Sequence, residues 1–99
     1  MATVLVDAEN VRRSTWPNIE RRELEALCDR WAERNGHEVV VVWEAAEPAD
    51  DQIARDARLV PKPVWVVTSD RALRDRVRSE AEQLLGGGSF ARELQRQGP

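Results

Sequence analysis

The chain has 99 residues, of which 41% are hydrophobic and 33% are charged. This balance is typical of a single globular domain and is too apolar for a disordered chain, so we assign residues 1–99 to one domain. The net charge of −3 argues against a protein that coats nucleic acid through an overall positive field, although a small basic patch beside an acidic site stays compatible with it.

The sequence gives no indication of a membrane protein. No apolar run approaches the ~20 residues of a membrane-spanning helix. The first predicted strand begins at Thr3, which leaves no room for a secretory leader before it. We therefore expect an intracellular, cytoplasmic protein.

The chain contains one cysteine, Cys28, and one histidine, His37. An internal disulfide is impossible, and a conventional zinc site is nearly excluded. Cys28 lies among apolar residues and is expected to be buried, whereas His37 follows Gly36 in a turn and is expected to be solvated. Any metal would have to be held by oxygen ligands.

Three continuous apolar runs predict strands that are covered on both faces, at residues 3–6, 39–43 and 64–67. Amphipathic segments with helical spacing separate these runs. Uniformly apolar strands that alternate with helices favour a parallel sheet between two layers of helices. We predict a small three-layer α/β/α sandwich with a mainly parallel sheet of three to four strands.

Four helices are expected, each recognised by apolar residues three or four positions apart. Their apolar positions are Leu24, Leu27, Cys28 and Trp31; Ile53, Ala57 and Val60; Leu73, Val77, Ala81 and Leu84; and those of the final segment FARELQRQ. The first helix should end at Asn35-Gly36. Asp50 or Asp51 should cap the second helix and Ser89 the last.

An acidic residue follows every predicted strand. These acids are Asp7, Glu44 and Asp70, and two more, Asp50 and Asp51, begin a helix that enters from the same side. The carboxyl ends of parallel strands share one edge of the sheet, where ligand crevices form. Carboxylates gathered there would repel one another unless a cation compensates. Hard oxygen ligands favour Mg²⁺ or Mn²⁺.

The same acids also have a structural explanation. Asp70 or Asp50 can be a helix cap, and Glu44 can be a solvated loop residue. The complete set of acids, together with Asn10 near Asp7, favours a functional site over a purely structural role. A divalent ion held there can polarise a phosphoryl oxygen and lower the pKa of a water molecule. Since no glycine-rich phosphate loop follows the first strand, phosphodiester hydrolysis is the favoured chemistry.

Four motifs follow one another along the chain: VLVDAEN with WPNI shortly after, ADDQIA, VWVVTSDRALRD and GGGSFAREL. In this order they resemble the NYN domains of the YacP-like group, relatives of the PIN-domain ribonucleases. The resemblance implies a metal-dependent ribonuclease in which Asp7, Asp50 and Asp70 surround a divalent ion. It places Asn10 behind these ligands and Asp51 where the family often has a second acid.

The chain departs from the family pattern after the second strand. The family usually has Phe-Asp-Gly there, whereas this chain has Trp43-Glu44-Ala45. Only residues 45–48 fill a gap that normally holds a further strand and loop. The resemblance therefore implies a shortened domain that has lost a strand and one wall of its substrate groove. A catalytically reduced module that binds RNA or a protein is the alternative function.

Basic and aromatic residues next to the acidic motifs are candidates for RNA binding. Arg12 and Arg13 follow the first acid, and Arg71 and Arg74 follow the third. All four can bind phosphates or form ion pairs on a solvated helix face. Trp16 can stack on a base or pack against the neighbouring helix.

Single-stranded RNA is the expected substrate, and a ribosome or another protein could deliver it. Two copies could also pair through an exposed edge of the narrow sheet. A phosphoreceiver-like signalling module is a further alternative, but it needs a lysine late in the chain. Lys62, the single lysine, precedes the third strand and argues against it.

Overall fold

The computed structural model describes residues 1–97, which form a four-stranded parallel sheet and five helices. In chain order the elements are β1 (Thr3–Asp7), α1 (Ala8–Arg12), α2 (Arg21–Asn35), β2 (Glu38–Val42), α3 (Ala49–Leu59), β3 (Val64–Val67), α4 (Arg71–Val77), β4 (Ala81–Leu85) and α5 (Gly87–Arg96). The strands lie in the order β2-β1-β3-β4. The predicted α/β sandwich with a parallel sheet is confirmed.

Each face of the sheet has its own hydrophobic core. Val4 and Val6 of β1 belong to the core beneath α1, α2 and α5, whereas Leu5 belongs to the core beneath α3 and α4. All three side chains are fully buried. A strand covered on both faces must be apolar at every position, which is why β1 is a continuous apolar run.

The strand order reverses between β1 and β3. The chain adds β2 on one side of β1 and then crosses the sheet to place β3 on the other side. In open α/β sheets, ligands bind beyond the carboxyl ends of the strands at such a switch point. Asp7 ends β1, and residues 68–70 follow β3, so the fold brings both to this crevice.

The third predicted helix is wrong in its second half. α4 ends at Val77, and Ala81–Leu85 forms strand β4, with Leu84 opposite Val66 of β3. Ala81 and Leu84 do pack against the core beneath α4. Their spacing fits a helix, but pairing with the free edge of β3 overrides this local pattern.

The predicted helix caps in α3 and α5 are also wrong. Pro48 precedes the first residue of α3, so Asp50 and Asp51 lie within its first turn, where acids favour the helix dipole. Gly86 precedes α5, and Ser89 lies inside that helix.

The boundaries around α2 and β2 are close to those expected. α2 ends at Asn35, and Gly36 adopts a left-handed conformation with φ of 71°, as predicted for a helix stop. β2 begins one residue early and is an edge strand. Val40 is 38% exposed, so the expectation of cover on both faces is wrong for this strand.

The lone cysteine and histidine both have structural roles. Cys28 is buried as predicted, and burial raises the pKa of its thiol to about 12. His37 is half-buried rather than solvated: its Nδ1 accepts a hydrogen bond from the Ala2 N–H at 2.9 Å, and its ring lies 4.4 Å from that of Trp65. Among residues 1–97, no helix is long and apolar enough to cross a membrane.

Candidate functional site

Asp7 occupies the switch point at the end of the central strand β1 and is only 9% exposed. Its Oδ2 accepts a hydrogen bond from Thr68 Oγ1 at 2.8 Å. The same hydroxyl accepts a hydrogen bond from the Asp70 N–H at 3.1 Å. These two bonds tie the end of β1 to the loop after β3 and hold one oxygen of the Asp7 carboxylate in place.

The charge on Asp7 is unfavourable in its surroundings. Burial raises the pKa of Asp7 above its usual value, and the hydrogen bond from Thr68 opposes part of that rise. Three further carboxylates raise this pKa through their negative charge, those of Asp70, Glu44 and Asp50. Three acids from distant parts of the chain therefore act on Asp7 at one edge of the sheet. A cation bound there would relieve the repulsion.

Asp70 is exposed and caps α4. Its Oδ1 accepts hydrogen bonds from the N–H groups of Ala72 at 2.9 Å and Leu73 at 3.2 Å. Asp70 is therefore a helix cap, which is the structural role expected for it. This role does not exclude a second one, because the carboxylate has another oxygen.

Replacing Asp70 by alanine should lower the free energy of unfolding by about 0.5–2 kcal/mol, since two amides at the start of α4 lose their acceptor. Asparagine keeps an acceptor oxygen and should restore the stability to within about 0.5 kcal/mol of the parent, because asparagine is an equally good cap. Urea denaturation of both variants measures the difference. Equal losses in the two variants would mean that the charge, and not the capping bond, supplies the stability.

Asp50 and Asp51 lie in the first turn of α3, and both approach Arg76 of α4. Arg76 Nη1 is 2.9 Å from Asp51 Oδ1 and 3.9 Å from Asp50 Oδ2. Asp51 is therefore paired with the neighbouring helix. The negative charge of Asp50 also contributes to the raised pKa of Asp7.

Glu44 lies in the loop at residues 43–48, which joins β2 to α3 and contains no strand. The side chain is exposed, and its Oε1 accepts a hydrogen bond from the Ala49 N–H at 3.2 Å. Glu44 thus satisfies the first amide of α3 while its charge reaches Asp7. The short loop is the shortened connection that the sequence predicted.

The donor set has the chemistry of a Mg²⁺ or Mn²⁺ site, because every candidate ligand is a carboxylate oxygen and the charges around Asp7 favour a cation. In the arrangement of side chains described for residues 1–97, no three of the acidic, histidine or cysteine groups are close enough to hold one ion. A shared ion would require rotations of these acidic side chains.

Asn10 connects three segments behind the acidic edge. Its Oδ1 accepts a hydrogen bond from the Ser69 N–H at 2.9 Å, and Ser69 Oγ accepts one from the Gly87 N–H at 2.8 Å. α1, the loop after β3 and the start of α5 are thereby fixed to one another. Asn10 thus supports the loop that carries Asp70.

The four arginines that were predicted to bind RNA make different contacts. Arg12 and Arg13 both contact the carboxylate of Glu9. Arg74 Nη1 donates a hydrogen bond to the Thr68 carbonyl oxygen at 3.0 Å, and Arg71 is exposed beside Asp70. Arg74 therefore holds the loop after β3.

Trp16 is 89% exposed, so the alternative that it packs against the neighbouring helix is wrong. Its loop is ordered by short-range hydrogen bonds. The Ser14 Oγ donates one to the Asn10 carbonyl oxygen at 2.6 Å, and the Ile19 N–H donates one to the Arg12 carbonyl oxygen at 3.1 Å.

A groove of about 430 Å³ opens beside Asp7. It is lined by Asp7, Glu9, Asn10, Arg13, Ser14 and Glu44. Glu9 was not among the residues predicted for the site. Its spacing of three and four residues from Arg12 and Arg13 was the available signal, because residues at this spacing meet on one face of a helix.

The fold is similar to that of Rae1 (YacP) from Bacillus subtilis, known from the crystal structure of a tryptophan-to-leucine variant. The TM-score is 0.75 at 19% sequence identity, and the match covers 97% of this chain and 76% of that chain. No protein-family model matches the sequence, and no curated protein matches it. The comparison shows a YacP-like fold, in agreement with the group that the sequence motifs resemble.

Proposed function

We propose that this protein is a metal-dependent ribonuclease that hydrolyses phosphodiester bonds in single-stranded RNA. The observation that carries the proposal is the position of Asp7, which ends β1 at the switch point and is tied through Thr68 to the loop that carries Asp70. The negative charges of Asp70, Glu44 and Asp50 act on Asp7 at the switch point of a YacP-like fold, and a bound cation would relieve this repulsion. The resemblance to NYN domains supports the choice of RNA.

Asp7, Asp50 and Asp70 would hold Mg²⁺ or Mn²⁺, with Asp51 and Glu44 as further oxygen donors. The ion would polarise a phosphoryl oxygen of the substrate and lower the pKa of the attacking water. The protein itself would supply a carboxylate held in a fixed position, that of Asp7, and positively charged side chains that bind the substrate phosphates.

The hydrogen bonds around Asp7 support this division of roles. Thr68 Oγ1 holds Asp7 Oδ2, and no donor within the described part of the chain pairs with Asp7 Oδ1, which is the oxygen left for a ligand. Asn10 fixes the loop that carries Asp70 through the Ser69 N–H. β1 and the loop after β3 would thus hold Asp7 and Asp70 in place, and other acids would rotate toward a shared ion.

The substrate would be bound by groups around the acidic edge. Arg13 lines the groove, and Arg71 is exposed next to Asp70, so both can contact phosphates. Trp16 presents an exposed ring in an ordered loop, and base stacking on such a ring does not depend on sequence. The RNA could arrive free, on a ribosome or with another protein, and two copies could pair through β2.

The purified protein should cleave a fluorescent single-stranded RNA in the presence of Mn²⁺ or Mg²⁺, and EDTA should stop the reaction. The Asp7→Asn variant, purified in parallel, controls for contaminating nucleases. Cleavage that continues in EDTA at an undiminished rate would contradict the proposed metal dependence.

One observation favours a second candidate, a reduced module that binds RNA or a protein without cutting. Arg76 already pairs with Asp51 and approaches Asp50, so it neutralises part of the acidic edge without a metal. This candidate predicts no cleavage and no effect of Mn²⁺ on RNA binding. The proposed ribonuclease predicts both cleavage and an effect of Mn²⁺.

A further inference from the structure

Three arginines converge on the carboxylate of Glu9 in α1. Arg13 Nε lies 3.0 Å and Arg12 Nε 3.4 Å from Glu9 Oε1, and Arg21 Nη2 of α2 lies 3.1 Å from Oε2. One negative charge thus faces three positive charges. The cluster keeps an excess of positive charge although the chain as a whole is acidic.

Two of these arginines are available to a ligand. The side chains of Arg13 and Arg21 are each 67% exposed, whereas that of Arg12 is 19% exposed. Arg13 approaches Glu9 through Nε, so its two terminal nitrogens are not used in this contact. Arg21 is held twice, by Glu9 and by the Trp43 ring, whose centroid lies 5.4 Å from the guanidinium carbon.

The cluster lies beside the acidic edge. Glu9 and Arg13 line the same groove as Asp7 and Glu44. Arg21 reaches from α2 to Trp43, the residue before Glu44. The groove is therefore lined by three carboxylates and by Arg13, and Arg21 lies next to it through its contacts with Glu9 and Trp43. A phosphate would be repelled by the carboxylates and bound by the guanidinium groups.

We propose that Arg13 and Arg21, held in position by Glu9, form a subsite for the phosphodiester next to the scissile one in single-stranded RNA. This inference rests on the proposed ribonuclease function and names residues that bind its substrate. Glu9 is a positioning residue, because it orients the arginines and does not touch the RNA. The ion pairs with Glu9 restrict the two exposed side chains and so reduce the conformational entropy that they lose on binding.

Binding of a short fluorescent RNA in EDTA tests the subsite without cleavage. Arg21→Gln and Arg13→Gln should each weaken binding about tenfold, and each should lower the slope of log K against log salt by about 0.7, the value for one phosphate contact with a single strand. Arg22→Gln is the matched control. Arg22 is the next residue of α2, is exposed and has no ion pair within residues 1–97.

The control should change the affinity by less than about twofold and leave the slope unchanged. Equal losses in Arg21→Gln and Arg22→Gln would overturn the subsite, because the effect would then be one of net charge. A parent protein that binds no RNA at low salt would overturn it as well.

Glu9→Gln separates positioning from charge. The substitution makes the groove more positive. If charge alone matters, Glu9→Gln should bind RNA more tightly than the parent, and adding Arg21→Gln should weaken binding by as much as it does in the parent. Positioning predicts that RNA binds no tighter and that Arg21→Gln costs less in the Glu9→Gln background than in the parent. Tighter binding together with an unreduced Arg21→Gln effect would overturn the role of Glu9.

These measurements are independent of the nuclease test. If Arg13→Gln and Arg21→Gln weaken RNA binding but the protein never cleaves RNA, the phosphate subsite stands and the ribonuclease function is rejected. If the protein cleaves RNA with a metal and neither substitution changes the cleavage, the ribonuclease function stands and the subsite is rejected.

Discussion

The Asp7→Asn variant should lose RNA cleavage and gain stability at neutral pH. Removing a hydrogen-bonding partner of a metal ligand typically costs roughly 10–100-fold in activity, so losing a carboxylate that binds the ion directly should cost more than about 100-fold. Asparagine keeps an oxygen that can accept the hydrogen bond from Thr68 Oγ1. The fold should therefore be retained.

The gain in stability follows from the raised pKa of Asp7. The folded protein holds the Asp7 proton more tightly than the unfolded chain, so the free energy of unfolding falls as the pH rises from the ordinary pKa of 3.8 through the raised value. The penalty is fully present above that range. The stability of Asp7→Asn relative to the parent should therefore increase over this window and stay constant at higher pH.

Urea denaturation between pH 3.5 and 8 (about the range that spans the titration of a raised carboxyl) measures this difference, and the RNA assay measures activity. Asp75→Asn is the matched control, because Asp75 carries the same charge in α4 but is 63% exposed and pairs with Arg78. The control should keep its activity. Unchanged cleavage by Asp7→Asn would end the assignment.

Gly87→Ala should destabilise the fold by about 1–3 kcal/mol, the usual cost of an added methyl group in a packed region. A Cβ at this position would overlap Asn10 Oδ1 and lie 3.1 Å from Ser14 Oγ. Asn10 would have to move and give up its hydrogen bond from the Ser69 N–H at 2.9 Å. Because that bond supports the loop of Asp70, cleavage should fall too.

The neighbouring Gly88 is the matched control for this substitution. A Cβ there would meet its closest neighbour, Arg92 Nη1, at 3.5 Å, an ordinary contact with a flexible side chain. Both glycines lie at the start of α5, so any gain in helix propensity, up to about 1 kcal/mol, is shared. Thermal unfolding should show that Gly87→Ala is the less stable of the two; equal melting temperatures would show that Asn10 does not need this space.

The central part of the site follows from local sequence. β1 and β3 are continuous apolar runs because both are covered on two faces, and an acid placed at or just after such a strand has to lie at the carboxyl edge of the sheet. Asp7 and Asp70 could therefore be placed together before their contacts through Thr68 were seen. The motifs of the YacP-like group indicated the same arrangement.

The missed features depend on contacts between distant segments. β4 has the spacing of a helix and becomes a strand because the edge of β3 is available. The pairing of Asp51 with Arg76 joins two helices that local periodicity cannot orient. The third arginine on Glu9 comes from α2 and not from α1. No pattern within one helix reveals such a contact.

The position of Mn²⁺ in soaked crystals, read from its anomalous scattering, tests the central claim most directly. We expect one ion at the switch point, within about 2.0–2.6 Å of a carboxylate oxygen of Asp7 and of at least one oxygen from Asp70 or Asp50. Crystals that take up manganese elsewhere, or not at all, while Asp50 and Asp51 stay with Arg76, would contradict the claim that these acids share a divalent ion.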